Sequence, residues 1–212
     1  MKNLFAALAL VFTLLVSNNM VAQTTFDTLL LVNGDIIIAS ITDTTKGEVS
    51  YKNPKAGRKD LSIENERIFS IKNSKSETVY YKLDSVEGND LTVDEMRYYI
   101  KGEQDAQKGF KARGSFWCNV LIGAASGATG HFLCPIPPFA FTALTGLPQV
   151  KIDHATVSNL EYLKHDTYIM GYERIARGKR RTKSLLGGGI GLVAGLATFW
   201  AVLQPNHNTL IK

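Results

Sequence analysis

Charge is what this 212-residue chain lacks over three long stretches: Lys2 is the only charged side chain in residues 1–23, none lies in 116–147, and Lys212 is the only one in 184–212. Other scarcities narrow the class. Two cysteines are too few for a disulfide scaffold, and the 18 glycines follow no Gly-X-Y period, which excludes a collagen. With 45% hydrophobic residues the chain is not disordered, and a formal charge of +5 is too small a surplus to argue for nucleic acid. No phosphate loop, nucleophile elbow or zinc-helix motif is present, so the sequence reads as a non-enzyme without a cofactor or an evident small-molecule substrate. All but two of the 24 basic and 19 acidic side chains crowd into the rest of the chain. The near-neutral average is therefore a cancellation between charged segments and apolar ones.

Residues 1–23 have the form of a secretory signal peptide: the short basic start Met1-Lys2-Asn3, the apolar run Leu4 to Val16, and the polar exit Ser17-Asn18-Asn19. Residues 24–90 then read as an exported β module. Thr28–Val32 and Ile36–Thr42 flank Asn33-Gly34-Asp35, the strongest short hairpin signal, because a type I′ turn needs positive φ at both central residues. Glu48–Lys52, Leu61–Ile63, Ile68–Lys72 and Val79–Leu83 supply further strands. Five or six of this length could close a small barrel or curl into a sandwich. Alternation gives Ile36, Ile38, Ile41, Val49, Tyr51, Ile68 and Ile71 as the expected core. Tyr80 and Tyr81 point to opposite faces of a strand, which makes them the expected partner contact.

A weak repeat follows at an offset of 69: Tyr99-Ile100-Lys101-Gly102 matches Tyr168-Ile169-Met170-Gly171, with Gly109 meeting Gly178, Lys111 meeting Arg180 and Ser115 meeting Ser184. Each copy joins an amphipathic helix to an uncharged, Gly/Ala-rich run. Thr92-Val93-Asp94-Glu95 is a capping box that starts the first, and the second starts at Asp166. Within the first, Glu103-Gln104-Asp105 reads as a solvated or headgroup-facing surface rather than a carboxylate pair.

Phe116 to Cys134 and Ser184 to Leu203 are both long enough to cross about 30 Å of hydrocarbon. Gly123-xxx-Gly127 and Gly187-xxx-Gly191-xxx-Gly195 give them the small-residue spacing of a glycine zipper, packing on each other or on neighbouring copies. The resulting expectation is an α+β chain: a barrel-like or sandwich module, then a two-helix transmembrane hairpin with amphipathic extensions. Its segments are 91–147 (amphipathic helix, first span and Pro-rich turn), 148–183 (basic, cytoplasmic side), 184–203 (second span) and a tail, 204–212.

The basic residues Arg177, Lys179, Arg180, Arg181 and Lys183 fit the inner face by the positive-inside rule. An antiparallel hairpin would bring Trp117 and Trp200 to one outer interface. A competing topology folds 116–147 back at Pro135-Ile136-Pro137-Pro138 as a re-entrant hairpin and leaves both copies on one side; 32 residues are short for two crossings, so it ranks second. His131 and Cys134 have ligand-like spacing, but no further ligands accompany them, so no metal is expected.

Taken as a set, the β module, Tyr99-x-x-Gly102-Glu103-Gln104-Asp105-Ala106, the Pro-Pro turn and Tyr168-x-x-Gly171-Tyr172 followed by the glycine zipper resemble uncharacterised envelope proteins common in Bacteroidota. The hairpin opening at Asp27 also resembles small SH3-like or Sm-like barrels. The resemblance implies a place in the cell envelope, here the inner membrane with the module in the periplasm, and no activity. The expected partners are membrane lipids and a second copy or another envelope protein. A small oligomeric channel or transport accessory is the second reading, motivated by the inverted repeat that the antiparallel hairpin would create.

Overall fold

The computed structural model describes residues 26–44, 47–54, 60–84 and 89–203. The expected signal peptide and the tail 204–212 lie outside the described residues. The described residues fall into two compact units: one holds those of 26–30 together with 36–80, the other those of 31–35 and 81–203.

The first unit is built on a six-stranded sheet: β1 (Asp27–Leu31), β2 (Ile36–Asp43), β3 (Glu48–Lys52), β4 (Asp60–Glu64), β5 (Ile68–Lys72) and β6 (Glu77–Val79). Their order is β4-β3-β2-β1-β5-β6, a meander of four strands with β5 returning beside β1. The pairs β1–β2, β2–β3, β3–β4 and β5–β6 are antiparallel. A register shift between Ile41 and Asp43 places a bulge in β2, which bends the strand where it passes from one pairing to the next.

Leu29, Ala39, Val49, Tyr51, Ile68, Phe69 and Ile71 form the buried set. Four of these were expected, but Ile36 and Ile38 are 54% and 58% exposed and Ile41 is half-buried. The correction has a simple cause. Ile36-Ile37-Ile38-Ala39 is an unbroken apolar run with no alternation to read, and the register pairs Leu29 with Ile37 and Thr28 with Ile38. The inward face is thus the one carrying Ile37 and Ala39.

The second unit is helical: α1 (Val93–Gly109), α2 (Arg113–Gly127), α3 (Ile136–Thr145) and α4 (Asp166–Thr198), the last continuing as a π turn over Phe199–Leu203. The capping box starts α1, with the Thr92 hydroxyl accepting from the Glu95 amide and the Glu95 carboxylate accepting from the Thr92 amide at 2.9 Å. Two short 3₁₀ turns, His154–Thr156 and Leu160–Lys164, lie between α3 and α4. Ala106, Val150, Tyr168, Tyr172 and Ala176 make the buried core of the α1–α4 pair.

The two repeat copies break differently. Lys179 Nζ donates to the carbonyls of Ala106 (3.1 Å), Gln107 and Phe110 at the end of α1. The chain turns out of the helix at Phe110. In the second copy Gly178 stays helical, with open space where a Cβ would stand, and α4 runs on as one 33-residue rod.

Among the described residues the expected two-helix hairpin is not shown. The first run makes a 15-residue helix that ends at Gly127, about 22 Å at 1.5 Å per residue and short of a crossing. Gly130, at φ +63°, turns the chain, and Pro137 and Pro138 sit inside the first turn of α3, where their missing amides cost nothing. The chain thus returns as helix–turn–helix, with its turn at Gly130 rather than at Pro135-Ile136-Pro137-Pro138, where the re-entrant alternative put it.

Candidate functional site

The glycines show how the helices run. A Cβ on Gly102 would overlap the Tyr168 carbonyl, and one on Gly171 would overlap the Tyr99 carbonyl, so the repeated Tyr-x-x-Gly motifs face each other across one close crossing. Further along, Lys179 reaches Ala106, so α1 and α4 are parallel. The same direction holds beyond the break. Gly187, Gly191 and Gly195 lie against the carbonyls of Phe116, Val120 and Ala124, while Gly123 and Gly127 lie against those of Gly188 and Leu192. The repeat is therefore parallel, not inverted. Trp117, one residue from the Gly187 contact, and Trp200 lie at different heights on the bundle, about 18 Å apart along α4 at 1.5 Å per residue. The shared interface expected for them is corrected accordingly.

The helix α3 returns along α4 in the opposite sense: Pro138 sits by Gly188, the Thr142 hydroxyl is 3.2 Å from that of Ser184, and Gly146 packs on the Arg181 guanidinium. Asn119 is fully buried, and its Nδ2, with two hydrogens to share among them, lies 2.8 Å from the Ser184 carbonyl, 3.1 Å from the Pro138 carbonyl and 2.9 Å from Thr142 Oγ1. This one amide ties the three helices together.

The layer formed by α2, α3 and the second half of α4 has its polarity reversed relative to a water-soluble bundle. Buried are Asn119, Ser184, Pro138 and the five zipper glycines. Exposed are Trp117, Leu121, Phe139, Leu186, Ile190 and Val193, each by more than half its surface. Asp166–Val202 is long and apolar enough to cross a membrane, and only 22% of its most apolar window is buried. A core helix of a soluble protein would be mostly covered.

Charge returns abruptly at Arg113 and Lys183. Of the five basic residues expected at an interface, Arg177 donates to Glu173 (2.6 Å), Lys179 ends α1, and Arg180 donates to the Pro148 carbonyl (3.2 Å) while its guanidinium lies 5.9 Å from the centre of the Phe110 ring. Arg181 and Lys183 remain exposed.

Glu103, Gln104 and Asp105 do not form a solvated face; all three are buried. Glu103 accepts from Arg174 at 2.7 Å, and burial pushes its carboxyl above the usual carboxylate range despite that partner. Gln104 donates to the Gly34 carbonyl at 3.0 Å. Oδ2 of Asp105 accepts from the Ser158 amide (2.9 Å), the Ser158 hydroxyl (2.7 Å) and the Tyr168 hydroxyl (2.7 Å). These polar anchors were missed because α1 is packed on more than one side, a fact that its own periodicity does not carry. The one available signal was Tyr168 in the repeat, a hydroxyl that needs a partner once buried.

Tyr81 is buried and donates to the Leu91 carbonyl at 2.9 Å, so it holds its own chain; Tyr80 is half-buried. Cys118 is exposed, Cys134 is buried, and among the described residues no cluster of three metal-ligating side chains forms around them. Comparison with protein-family models, curated proteins and solved structures found no match.

Proposed function

We propose that this chain is a non-enzymatic, membrane-anchored protein of the bacterial cell envelope, whose β module engages a partner while residues 113–203 hold it in the bilayer. One observation carries the reading: the reversed polarity of the α2–α3–α4 layer, with amides, hydroxyls and glycines inside and Trp, Leu, Phe and Ile outside. In hydrocarbon, tight backbone approach and interhelical hydrogen bonds replace the hydrophobic drive between helices, which is what the glycine contacts and the Asn119 Nδ2 bonds supply, although the buried Asn119 Oδ1 has no partner among the described residues.

Because the helical hairpin returns, the segments on either side of it, α1 and residues 148–165, belong on one face of the membrane, and only α4 reaches across. The glycine surfaces are occupied within one chain, so a second copy would have to use another surface. The inverted repeat that motivated the channel reading is not what supports this proposal, since the two copies run parallel.

Alkaline carbonate extraction of membranes from cells making the full chain is expected to leave it in the pellet. Release into the supernatant would contradict the anchor.

A further inference from the structure

Where the charges stop, the surface opens into a pocket of about 420 Å³. Lys111, Arg113 and Lys183 stand around it, and Phe110, Phe116 and Trp117 line it. No acidic side chain lines this pocket, and none of the three cations is ion-paired among the described residues. Lys179 also borders it but is committed to the carbonyls that end α1. Three unopposed cations over an aromatic floor suit a group that is anionic at one end and apolar at the other.

The pocket's height on the bundle fits the same ligand. Arg113 is the last charge before Lys151, and Lys183 is the last before Lys212. The cations therefore ring the boundary between the charged half of the unit and its apolar layer. Directly below, Trp117 and Leu121 stand one helical turn apart, 63% and 70% exposed. An acyl chain leaving the pocket would meet a continuous apolar strip, whereas free phosphate would leave the aromatic floor unused.

We infer that this pocket binds the headgroup of an anionic phospholipid, with its acyl chain along Trp117 and Leu121. The inference rests on the membrane reading above. Basic side chains near a bilayer surface are drawn to anionic lipid.

The test uses the full chain carrying Trp200→Phe, which leaves Trp117 as the only tryptophan, reconstituted with phosphatidylcholine and increasing phosphatidylglycerol. Either lipid carries the dibrominated acyl chains that quench an indole on contact. Brominated phosphatidylglycerol should quench Trp117 at a several-fold lower mole fraction than brominated phosphatidylcholine. Combined Lys111→Gln, Arg113→Gln and Lys183→Gln should abolish that difference while leaving quenching by phosphatidylcholine intact, which also shows that the variant remains inserted. Equal quenching by both lipids in the unsubstituted pocket would overturn the headgroup site and leave the anchor standing. Quenching by neither would overturn the anchor itself. Loss of the preference in inorganic phosphate, but not in chloride of equal ionic strength, would reassign the pocket to a free anion and overturn the lipid proposal.

Discussion

Gly191→Leu is expected to unseat α2 from α4 and lower the stability of the detergent-solubilised chain by more than about 3 kcal/mol, the upper range for overpacking a tight interior. A Cβ at this position overlaps the Val120 carbonyl and lies 2.9 Å from the Ala124 amide nitrogen. Both are backbone atoms of a helix and cannot swing aside, so relief requires the two rods to separate. Separation would also break the Asn119 bonds to Ser184, since one amide spans the same crossing. Gly189→Leu supplies the contrast. Two residues away on the same helix, Gly189 is exposed and has open space where its Cβ would stand. That substitution should be neutral or stabilising by up to about 1 kcal/mol from helix propensity. Unfolding in urea and mild detergent, followed by helical circular dichroism, gives both numbers. Equal midpoints for the two variants would remove the glycine contact from the account. The effect should not depend on protein concentration, because the contact lies within one chain.

Asp105→Ala should cost about 3 kcal/mol, because it deletes charge-assisted bonds and strands the fully buried Tyr168 hydroxyl without an acceptor. The Ser158 groups can return to water; Tyr168 cannot. Adding Tyr168→Phe removes the stranded donor, so the double variant should be more stable than Asp105→Ala alone. Recovery of that kind is the sign of a coupled pair. Tyrosine near-ultraviolet circular dichroism during urea unfolding reports the ring cluster directly, since Tyr168 lies 5.7 Å from Tyr162 and 6.4 Å from Tyr172 between ring centroids. Simple additivity of the two substitutions would mean that Asp105 and Tyr168 do not support each other.

Local signals were legible in the sequence wherever one residue type has one physical use. The Thr92/Glu95 box and the start of α4 at Asp166 stand where the residues place them; the hairpin also forms at Asn33-Gly34, but as a three-residue loop in which Val32 and Asn33 are central to the turn and Gly34, at φ +83°, follows it, rather than as the two-residue type I′ turn. The repeat was legible too, but its direction was not. Offset matching shows that two segments share a pattern without showing whether they lie side by side in the same or opposite sense. What decides it is Gly130, which turns the chain after only 15 helical residues, and an uncharged run of 32 residues contains several glycines that could have done so. In the same way Ile36-Ile37-Ile38 hid the register of β2, and the burial of Glu103 and Asp105 depends on partners at Arg174 and Tyr168, more than 60 residues away. Period carries the face of an element, whereas long-range polar pairing leaves no local trace.

In the proposed anchor the helical hairpin returns, so the chain before it and the chain after it would share one side of the membrane. Single cysteines at Asp94 and Lys151, both exposed and flanking the hairpin, test this in a background of Cys118→Ala and Cys134→Ala. A third cysteine position at Val193 marks the apolar face. In sealed vesicles of known orientation, a membrane-impermeant maleimide should label positions 94 and 151 from the same side. Position 193 should react only after detergent is added. Labelling of 94 and 151 from opposite sides would restore the antiparallel spanning hairpin and contradict the fold-based account.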